Sequence, residues 1–596
     1  MEVAGRGELR RVALGEGDAD SGAPLQKRAK TGGAMLPPPT MVPTRRPPME
    51  EGQSSTAGGS EEDLEALDAP SLKRRVFSLE KRIKKNLEDR IKHAADPEKF
   101  MESELELDAE IRDLQLLAAQ PELFETFVGT GIVPKLVGLL THENSDIVVD
   151  TIDLLNELTG SDNFVDPEEN PESLLDALLD AELLDILVQS MERLNESVEE
   201  ESTALHNILG ILENLLEVRP DIAETACSKT HVLAFLLKRL LKPEFDANKL
   251  YCSEILSIFL LSGSPVRMLM GQQDGIELLL RSIFYFRRRK PEGNEEKEML
   301  ENLFDCLCYS LMEKKNQELF RTLEGFELMI LLVKKKYTRV GAVKVLDYGL
   351  LGSAENCEYF VDAQGLGALF AVFMKPGKPS KSSTRENEEH AISCIASLLQ
   401  AVDIPRHARI IGKFMENQFE KCDRLAELHV TYARMARDEE ESLAEYRRAR
   451  LDMGDEVDDE DLYMKRLDAG LFTLQLVDYI LAVVIIAGPH YLHGEGSKDP
   501  SKFKADRLRN RLQQRLKLLS HNVDDLKRVL QEFADHLRAS EEQTRVEKEA
   551  NEAQVEEQTE EGEVNGSSST PSPSVASAAA DRNLRSQDIQ DLVDSL

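Results

Sequence analysis

Carboxylates recur at matching positions of several leucine-rich segments, and their types and spacing could support recognition of cations. When the segments are aligned by their leucines, one column is acidic: Asp153, Glu213, Glu254, Asp305 and Asp347. Glu157 and Glu217 follow the first two by one helical turn. Carboxylates accept charge-assisted hydrogen bonds from Lys and Arg. A row of them along stacked helices is therefore suited to an extended peptide that carries basic residues at intervals.

The same column has an alternative interpretation as solvated surface. Asp and Glu number 110 of the 596 residues against 73 Lys and Arg, so acids are expected on many helix faces. The formal net charge of −37 argues against broad contact with nucleic-acid phosphates, because such contact needs Lys and Arg to displace counterions. It favours basic partners. The basic run Arg287–Lys290 could contact RNA or an acidic partner, or could flank a helix end in solvent.

Catalytic motifs are missing from the sequence, which has no P-loop, no dinucleotide-binding fingerprint and no HExxH. The 11 His are dispersed, and the 7 Cys include no CxxC pair, which is typical of reduced thiols. Cys306 and Cys308 are two residues apart on a predicted helix and so point in different directions. We expect one core thiol and one surface thiol there. The sequence therefore predicts a non-enzyme with no catalytic residue, metal or cofactor.

The elements that would position the acidic column recur with a near-constant period. A small residue precedes a short leucine-rich run at Gly131, Ala181, Thr230, Gly275, Gly325 and Gly365, and the successive intervals are 50, 49, 45, 50 and 40 residues. A polar turn and a longer helix follow each run. A helical period in the forties is typical of armadillo and HEAT repeats. We predict an all-α, armadillo/HEAT-like superhelix over residues 129–404, in which the glycine makes a tight turn and the third helices line the concave face.

Helical regions are predicted on both sides of the repeats, as an N-terminal cap over 71–128 and a C-terminal region over 405–540. In the latter, apolar residues at 508, 512, 516, 519, 523, 526, 530, 533 and 537 form a heptad-like seam. This seam fits a long helix that pairs across a dimer. It also fits two helices that break near Ser520–Asn522 and cap the solenoid, which is favoured because an open end exposes its core face. The apolar run Tyr479–Gly488 is too short for a membrane span and is interpreted as a buried core helix.

Polar, low-complexity composition predicts disorder for residues 1–70 and for the acidic, Ser-rich tail 541–596, with a short helix near its end. Lys27, Arg28 and Lys30 in the first segment match a short nuclear localisation signal, although the same residues could be a solvated charge cluster. The import signal predicts a nuclear protein.

Five long blocks of the sequence closely resemble the catenin-beta-like family. These blocks are Asp96–Ile111, Pro243–Leu261, Met299–Cys308, Ala342–Gly352 and Lys465–Gln475, and the similarity extends from about Ser71 to Asp535. The resemblance implies an armadillo-type nuclear protein of the spliceosome. Such a scaffold joins the nineteen complex around its Myb-repeat splicing factor and binds basic, nuclear-localisation-type segments. It also implies self-association and, in vertebrates, binding to activation-induced cytidine deaminase.

The chain departs from related grooves in one informative respect. Importin-type armadillo grooves grip basic chains with Trp and Asn, and this sequence has no Trp. Carboxylates would therefore have to carry recognition. Two alternatives to a splicing scaffold are a nuclear transport adaptor, which needs an Arg-rich N-terminal arm, and an RNA-contacting splicing accessory protein.

Overall fold

The computed structural model describes residues 67–164, 172–374, 382–453, 457–491, 501–561 and 585–596. These residues form helices joined by turns and contain no strand, which confirms the all-α prediction for them. The chain forms two compact units. We call the described residues of 67–285 and 291–313 the N-terminal unit, and the described residues of 286–290 and 314–596 the C-terminal unit. The predicted import signal Lys27, Arg28 and Lys30 lies outside the described residues.

The N-terminal unit begins with a two-helix cap and continues with four three-helix repeats. The cap consists of α1 (Ala69–Lys92) and α2 (Met101–Asp113). The repeats are α3 (Phe124–Val128), α4 (Val133–Leu139) and α5 (Ser145–Leu158); α6 (Glu172–Asp180), α7 (Leu183–Arg193) and α8 (Glu199–Val218); α9 (Ile222–Lys229), α10 (Val232–Leu240) and α11 (Ala247–Leu261); and α12 (Ser264–Gln272), α13 (Gly275–Phe284) and α14 (Glu295–Ser310).

Within the N-terminal unit, the third helix of each repeat packs against the third helix of the next. Along the N-terminal unit, α2 contacts α5, α5 contacts α8, α8 contacts α11, and α11 contacts α14. Side-chain caps fix where these helices begin, since Asn144 accepts from the N–H of Asp146 (3.0 Å) and Asp246 from that of Lys249 (2.8 Å). The continuous layer of third helices is the element that positions the acidic column.

A glycine follows the tight turn in several repeats, but it does not usually make that turn. Gly131 does take a left-handed conformation (φ 73°), as predicted. In the repeat that contains Gly325, the left-handed residue is the preceding Glu324 (φ 60°), and Asp274 and Gln364 occupy the same place elsewhere. A Cβ on Gly325 would lie 2.4 Å from the Phe320 ring. The turn prediction is therefore wrong for this glycine, which instead lets the second helix approach the first.

The C-terminal unit holds two further repeats and seven additional helices within the described residues. The repeats are α15 (Lys314–Thr322), α16 (Gly325–Leu332) and α17 (Arg339–Leu350); and α18 (Ala354–Asp362), α19 (Leu366–Phe373) and α20 (Ser382–Ala401). The additional helices are α21 (Ile404–Phe414), α22 (Glu420–Met453), α23 (Asp459–Arg466), α24 (Phe472–Tyr491), α25 (Ser501–Leu518), α26 (Val523–Glu561) and α27 (Ser586–Ser595). Helix α17 packs on α20, which packs on α24.

Helix α24 is the core of the C-terminal unit. By length and composition alone, the stretch Asp459–Ile486 could cross a membrane. However, 83% of its most apolar 18-residue segment is buried inside the protein. It is surrounded by α20, α21, α22, α25 and α26. The heptad-like seam is split between α25 and α26, with Ser520 in a left-handed turn (φ 64°), and its Leu512 and Leu530 are fully buried. The two-helix alternative therefore describes this seam.

The predicted disorder of the tail 541–596 is wrong at its start, whereas the short helix predicted near its end is present as α27. Helix α26 continues to Glu561, because residues 541–561 are mostly Glu, Ala, Gln, Lys and Arg, which favour a helix without burial, and contain no Gly or Pro. At the other end, α27 packs on α26 and α24 through the apolar residues Ile589 and Val593. Residues 562–584 lie outside the described part of the chain.

Candidate functional site

A concave pocket of about 760 Å³ lies on the third-helix layer of the N-terminal unit. Helices α5, α8 and α11 supply most of its wall, and the first residue of α14 completes it. The charged and aromatic side chains that line it are Glu157, Asp162, His206, Glu213, Glu217, Tyr251, Glu254 and Glu295. The repeats thus bring acids together that are far apart in the sequence.

Close packing of the three helices depends on Gly210 at the middle of α8. A Cβ there would lie 2.8 Å from Asn156 Oδ1 and 3.4 Å from the hydroxyl of Tyr251. That hydroxyl donates to Glu213 Oε2, and the Tyr251 ring lies 4.7 Å from that of His206. His206 is held in turn by Asn248, at 3.1 Å between Nδ1 and Oδ1. Side chains from α8 and α11 therefore fix the floor of the pocket.

The pocket has six carboxylates on its wall and neither a Lys nor an Arg among its described lining residues. Within the described part of the chain, Glu157, Glu213, Glu217 and Glu254 make no ion pair. Burial, together with the nearby carboxylates of Glu298 and Glu213, raises the pKa of Glu254 to about 7. At neutral pH this group is partly protonated. A cation from a partner would replace that proton and stabilise the charged form.

Asp153 and Asp305, two other members of the predicted column, lie outside this pocket. Asp153 is half-buried and accepts from Asn207 Nδ2 at 2.7 Å, which links α5 to α8. Burial raises the pKa of Asp153, although this hydrogen bond acts in the opposite direction. Asp305 is half-buried on α14. Asp153 therefore positions two helices rather than facing a ligand in the pocket.

The leucine alignment placed Asp347 in the acidic column, and this prediction is wrong. It belongs to the C-terminal unit and is only 1% exposed. Its Oδ2 lies 3.0 Å from Nδ1 of His390, and Ser393 donates to its Oδ1. Both partners come from α20, which packs across α17 and covers this face. Asp347 therefore joins two third helices inside the core.

The leucine alignment missed three acids that the fold brings to the site. Asp162 and Glu295 line the pocket, and Glu298 is close enough to raise the pKa of Glu254. A signal for Glu295 was present, because it follows Glu254 by the same interval of 41 residues that separates Glu254 from Glu213. The leucine alignment selected Asp305 on this helix instead.

Two other predicted groups occupy different environments. In the basic run, Arg288 and Lys290 are exposed, whereas Arg287 and Arg289 are half-buried. Cys308 is fully buried like Cys306, so the expected surface thiol is wrong. The reason is that α14 packs against α11, α12 and α13, and no residue in its second half, 302–310, is exposed.

Comparison with known proteins identifies the family. Residues 52–531 match the family model described as catenin-beta-like, Arm-motif containing and nuclear. The chain is 40% identical over 481 residues to beta-catenin-like protein 1 of Homo sapiens and of Rattus norvegicus, covering 79% of this chain and 82% of each relative. The chain belongs to the catenin-beta-like family. Another member, the beta-catenin-like protein 1 homolog of Schizosaccharomyces pombe, is 36% identical over 430 residues, 71% of this chain and 74% of that relative. The predicted family and its armadillo fold class are confirmed.

Proposed function

We propose that this catenin-beta-like protein is a non-catalytic nuclear scaffold of the spliceosome that binds basic, extended segments of splicing factors at its acidic pocket. The observation that carries the proposal is a concave wall with six carboxylates and neither a Lys nor an Arg among its described lining residues. Four consecutive repeats contribute to this wall, so an extended peptide could meet a carboxylate at each repeat. The family description as nuclear supports the location.

Three features of the pocket favour Lys and Arg as its ligands. Glu217 and Glu157 are exposed at the mouth, where they can attract a cation from solvent. Glu254 is deeper and partly protonated at neutral pH, and a bound cation would displace that proton. The His206 and Tyr251 rings provide apolar surface for the methylene stem of a long basic side chain.

The partner that we propose is the Myb-repeat component of the nineteen complex, through a basic segment of nuclear-localisation type. The chain would then act by holding this component within the spliceosome, without changing any covalent bond. Self-association of the scaffold would add further copies of the same pocket to one assembly, which increases avidity for a multivalent partner.

The decisive experiment compares two triple variants that each replace three Glu side chains by Gln. E213Q/E217Q/E254Q removes three pocket carboxylates and keeps an oxygen that can still accept from Tyr251. The matched control, E125Q/E192Q/E224Q, removes three exposed carboxylates from α3, α7 and α9. The probe is a fluorescent 16-residue peptide of alternating Lys, Arg and Gly, measured by anisotropy at fixed salt.

The pocket variant should bind the peptide about tenfold more weakly, because each lost ion pair contributes roughly 0.5 kcal/mol. The control should stay within about twofold of the unmodified chain. Equal loss in both variants would mean that net charge, and not this pocket, attracts the peptide. Mass spectrometry of nuclear proteins that co-purify with each variant tests the partner, since splicing factors should be depleted only with the pocket variant.

A further inference from the structure

Helix α27 is a short segment that packs on two helices of the C-terminal unit. Its ten residues pack on α26 and α24 and bury Ile589 and Val593. A reciprocal pair of amide hydrogen bonds joins Gln590 to Gln531, at 2.9 and 3.1 Å. Since a ten-residue helix is marginal in water, α27 depends on these contacts for its stability. Short terminal segments open more readily than the core.

A serine at the start of α27 makes a polar contact that joins α27 to α26. Ser586 Oγ donates to Glu541 Oε2 at 2.7 Å, and the Ser586 N–H donates to Oε1 of the same carboxylate at 3.0 Å. Both bonds connect α27 to α26. Glu541 therefore requires a hydrogen-bond donor at position 586, and any added negative charge there would face a carboxylate.

We propose that Ser586 is a phosphorylation site whose modification releases α27 from the C-terminal unit. A phosphoserine has no hydroxyl proton to donate and carries close to two negative charges at neutral pH. The phosphate would lie against Glu541 at the distance of the present hydrogen bond, where repulsion replaces attraction. The same phosphate favours the first turn of its own helix. The proposal therefore concerns docking of α27 and not the helical tendency of the segment.

The modification is an ordinary phosphoryl transfer by a protein kinase. Ser586 Oγ attacks the γ-phosphorus of a nucleoside triphosphate, the bond from that phosphorus to the bridging oxygen of the β-phosphate breaks, and the nucleoside diphosphate leaves. The hydroxyl proton passes to a base of the kinase. Because Ser586 is only 7% exposed, the kinase acts on the open form, and the phosphate then prevents α27 from docking again.

Hydrogen exchange on the full chain tests the release. Phosphoserine is installed at 586 by ligation of a synthetic C-terminal peptide, and amide exchange of residues 586–596 is compared with that of the unmodified ligated chain. Exchange should accelerate by at least about tenfold, because the undocked helix is marginal in water. Phosphoserine at 595 is the matched control, since Ser595 is exposed and donates to the Asp591 carbonyl oxygen of its own helix. That control should change exchange by no more than about threefold.

Reversing the charge at position 541 distinguishes electrostatic repulsion from the simple loss of a hydrogen bond as the cause of release. In Glu541→Lys, phosphoserine at 586 should slow exchange of α27, because the phosphate now faces an ammonium group. Acceleration in both backgrounds, or in neither, would refute the electrostatic mechanism. Mass spectrometry of the native protein, isolated with phosphatase inhibitors, tests the assignment of the site. Phosphate on Ser586 supports it, and a C-terminal peptide that carries none overturns it.

Discussion

Glu254 in the N-terminal unit and Asp478 in the C-terminal unit are both carboxylates on long helices, yet their surroundings differ. Glu254 faces a concave pocket with other acids on its wall, and it makes no ion pair within the described chain. Asp478 is fully buried on α24, and its Oδ1 lies 2.6 Å from Nδ1 of His429 on α22. Further carboxylates of the C-terminal unit are paired in a similar way, such as Asp423 with Arg511 and Glu388 with Arg424.

This difference separates acids that hold the fold together from acids that are available to a partner. An acid with its counter-charge in the same chain gains its stabilisation on folding. An acid without one keeps its electrostatic attraction for a molecule that binds later. The pocket of the N-terminal unit therefore has the free carboxylates that the proposed scaffold function needs.

The largest effect should come from removing Asp478. Asp478→Ala leaves the imidazole of His429 buried without its partner and opens a cavity. Breaking a buried pair from one side costs about 3 kcal/mol or more of the free energy of unfolding. Urea denaturation measures this loss. Glu217→Gln in the pocket should change the same quantity by less than about 0.5 kcal/mol. Similar losses in both variants would erase the distinction between the two regions.

The Asp478–His429 pair also predicts how stability depends on pH. Burial lowers the pKa of His429, but the charge of Asp478 and its hydrogen bond raise it above the usual 6.5 overall. Protonated His429 therefore stabilises the fold fully below pH 6.5, and this contribution is lost as pH rises through the raised pKa. The free energy of unfolding of His429→Gln, measured by urea denaturation between pH 6 and 8, should lack this pH-dependent contribution.

In the pocket, replacing a carboxylate by its neutral amide should stabilise the fold, whereas removing Asp478 destabilises it. The pKa of Glu254 is about 7 in the folded chain and 4.5 for an unperturbed Glu, so the folded chain loses stability as pH rises from 4.5 to 7 and stays less stable above pH 7. Glu254→Gln should therefore raise the free energy of unfolding by about 1 kcal/mol at pH 8, after allowance for solvent, and by little at pH 5. Urea titrations at both pH values measure this. Glu157→Gln, which removes an exposed carboxylate from the same pocket, is the control.

The smallest effect concerns the pH dependence of peptide binding. Because a bound Lys or Arg favours the charged form of Glu254, affinity for the basic peptide should fall by about fivefold from pH 8 to pH 6. In Glu254→Gln this dependence should disappear. Calorimetry at pH 7 in two buffers of different ionisation enthalpy should show proton release on binding. If no proton is released, Glu254 does not contact the ligand.

The repeat architecture was predictable because leucine periodicity and the interval between repeats are properties of the sequence alone. The stack of third helices follows from that interval. The environment of each acid does not, because it depends on residues of other helices. Asp347 has the same relation to its leucines as Glu254, but its partner His390 is 43 residues away on α20. Sequence periodicity places an acid on a helix without showing what packs against it.

The tail shows a different limit of sequence reasoning. Composition indicated that residues 541–596 cannot form a core of their own, and that argument is sound for an isolated segment. Helix α27 instead uses the apolar surface of a unit that is already folded, with Ile589 fully buried there. Two apolar residues suffice for docking on a prepared surface, although they are too few to be recognised as a core in the sequence.

In the turns between first and second helices, adjacent positions should differ in how well they tolerate substitution. Glu324 supplies an unusual backbone conformation, which Asn or Gly would adopt at least as easily, so the charge of this loop is free to vary. One residue later, Gly325 has no room for even a methyl group beside Phe320. Inherited variants at such neighbouring sites should therefore differ sharply in severity, with Gly325→Ala disturbing the joint that Glu324→Gly would leave intact.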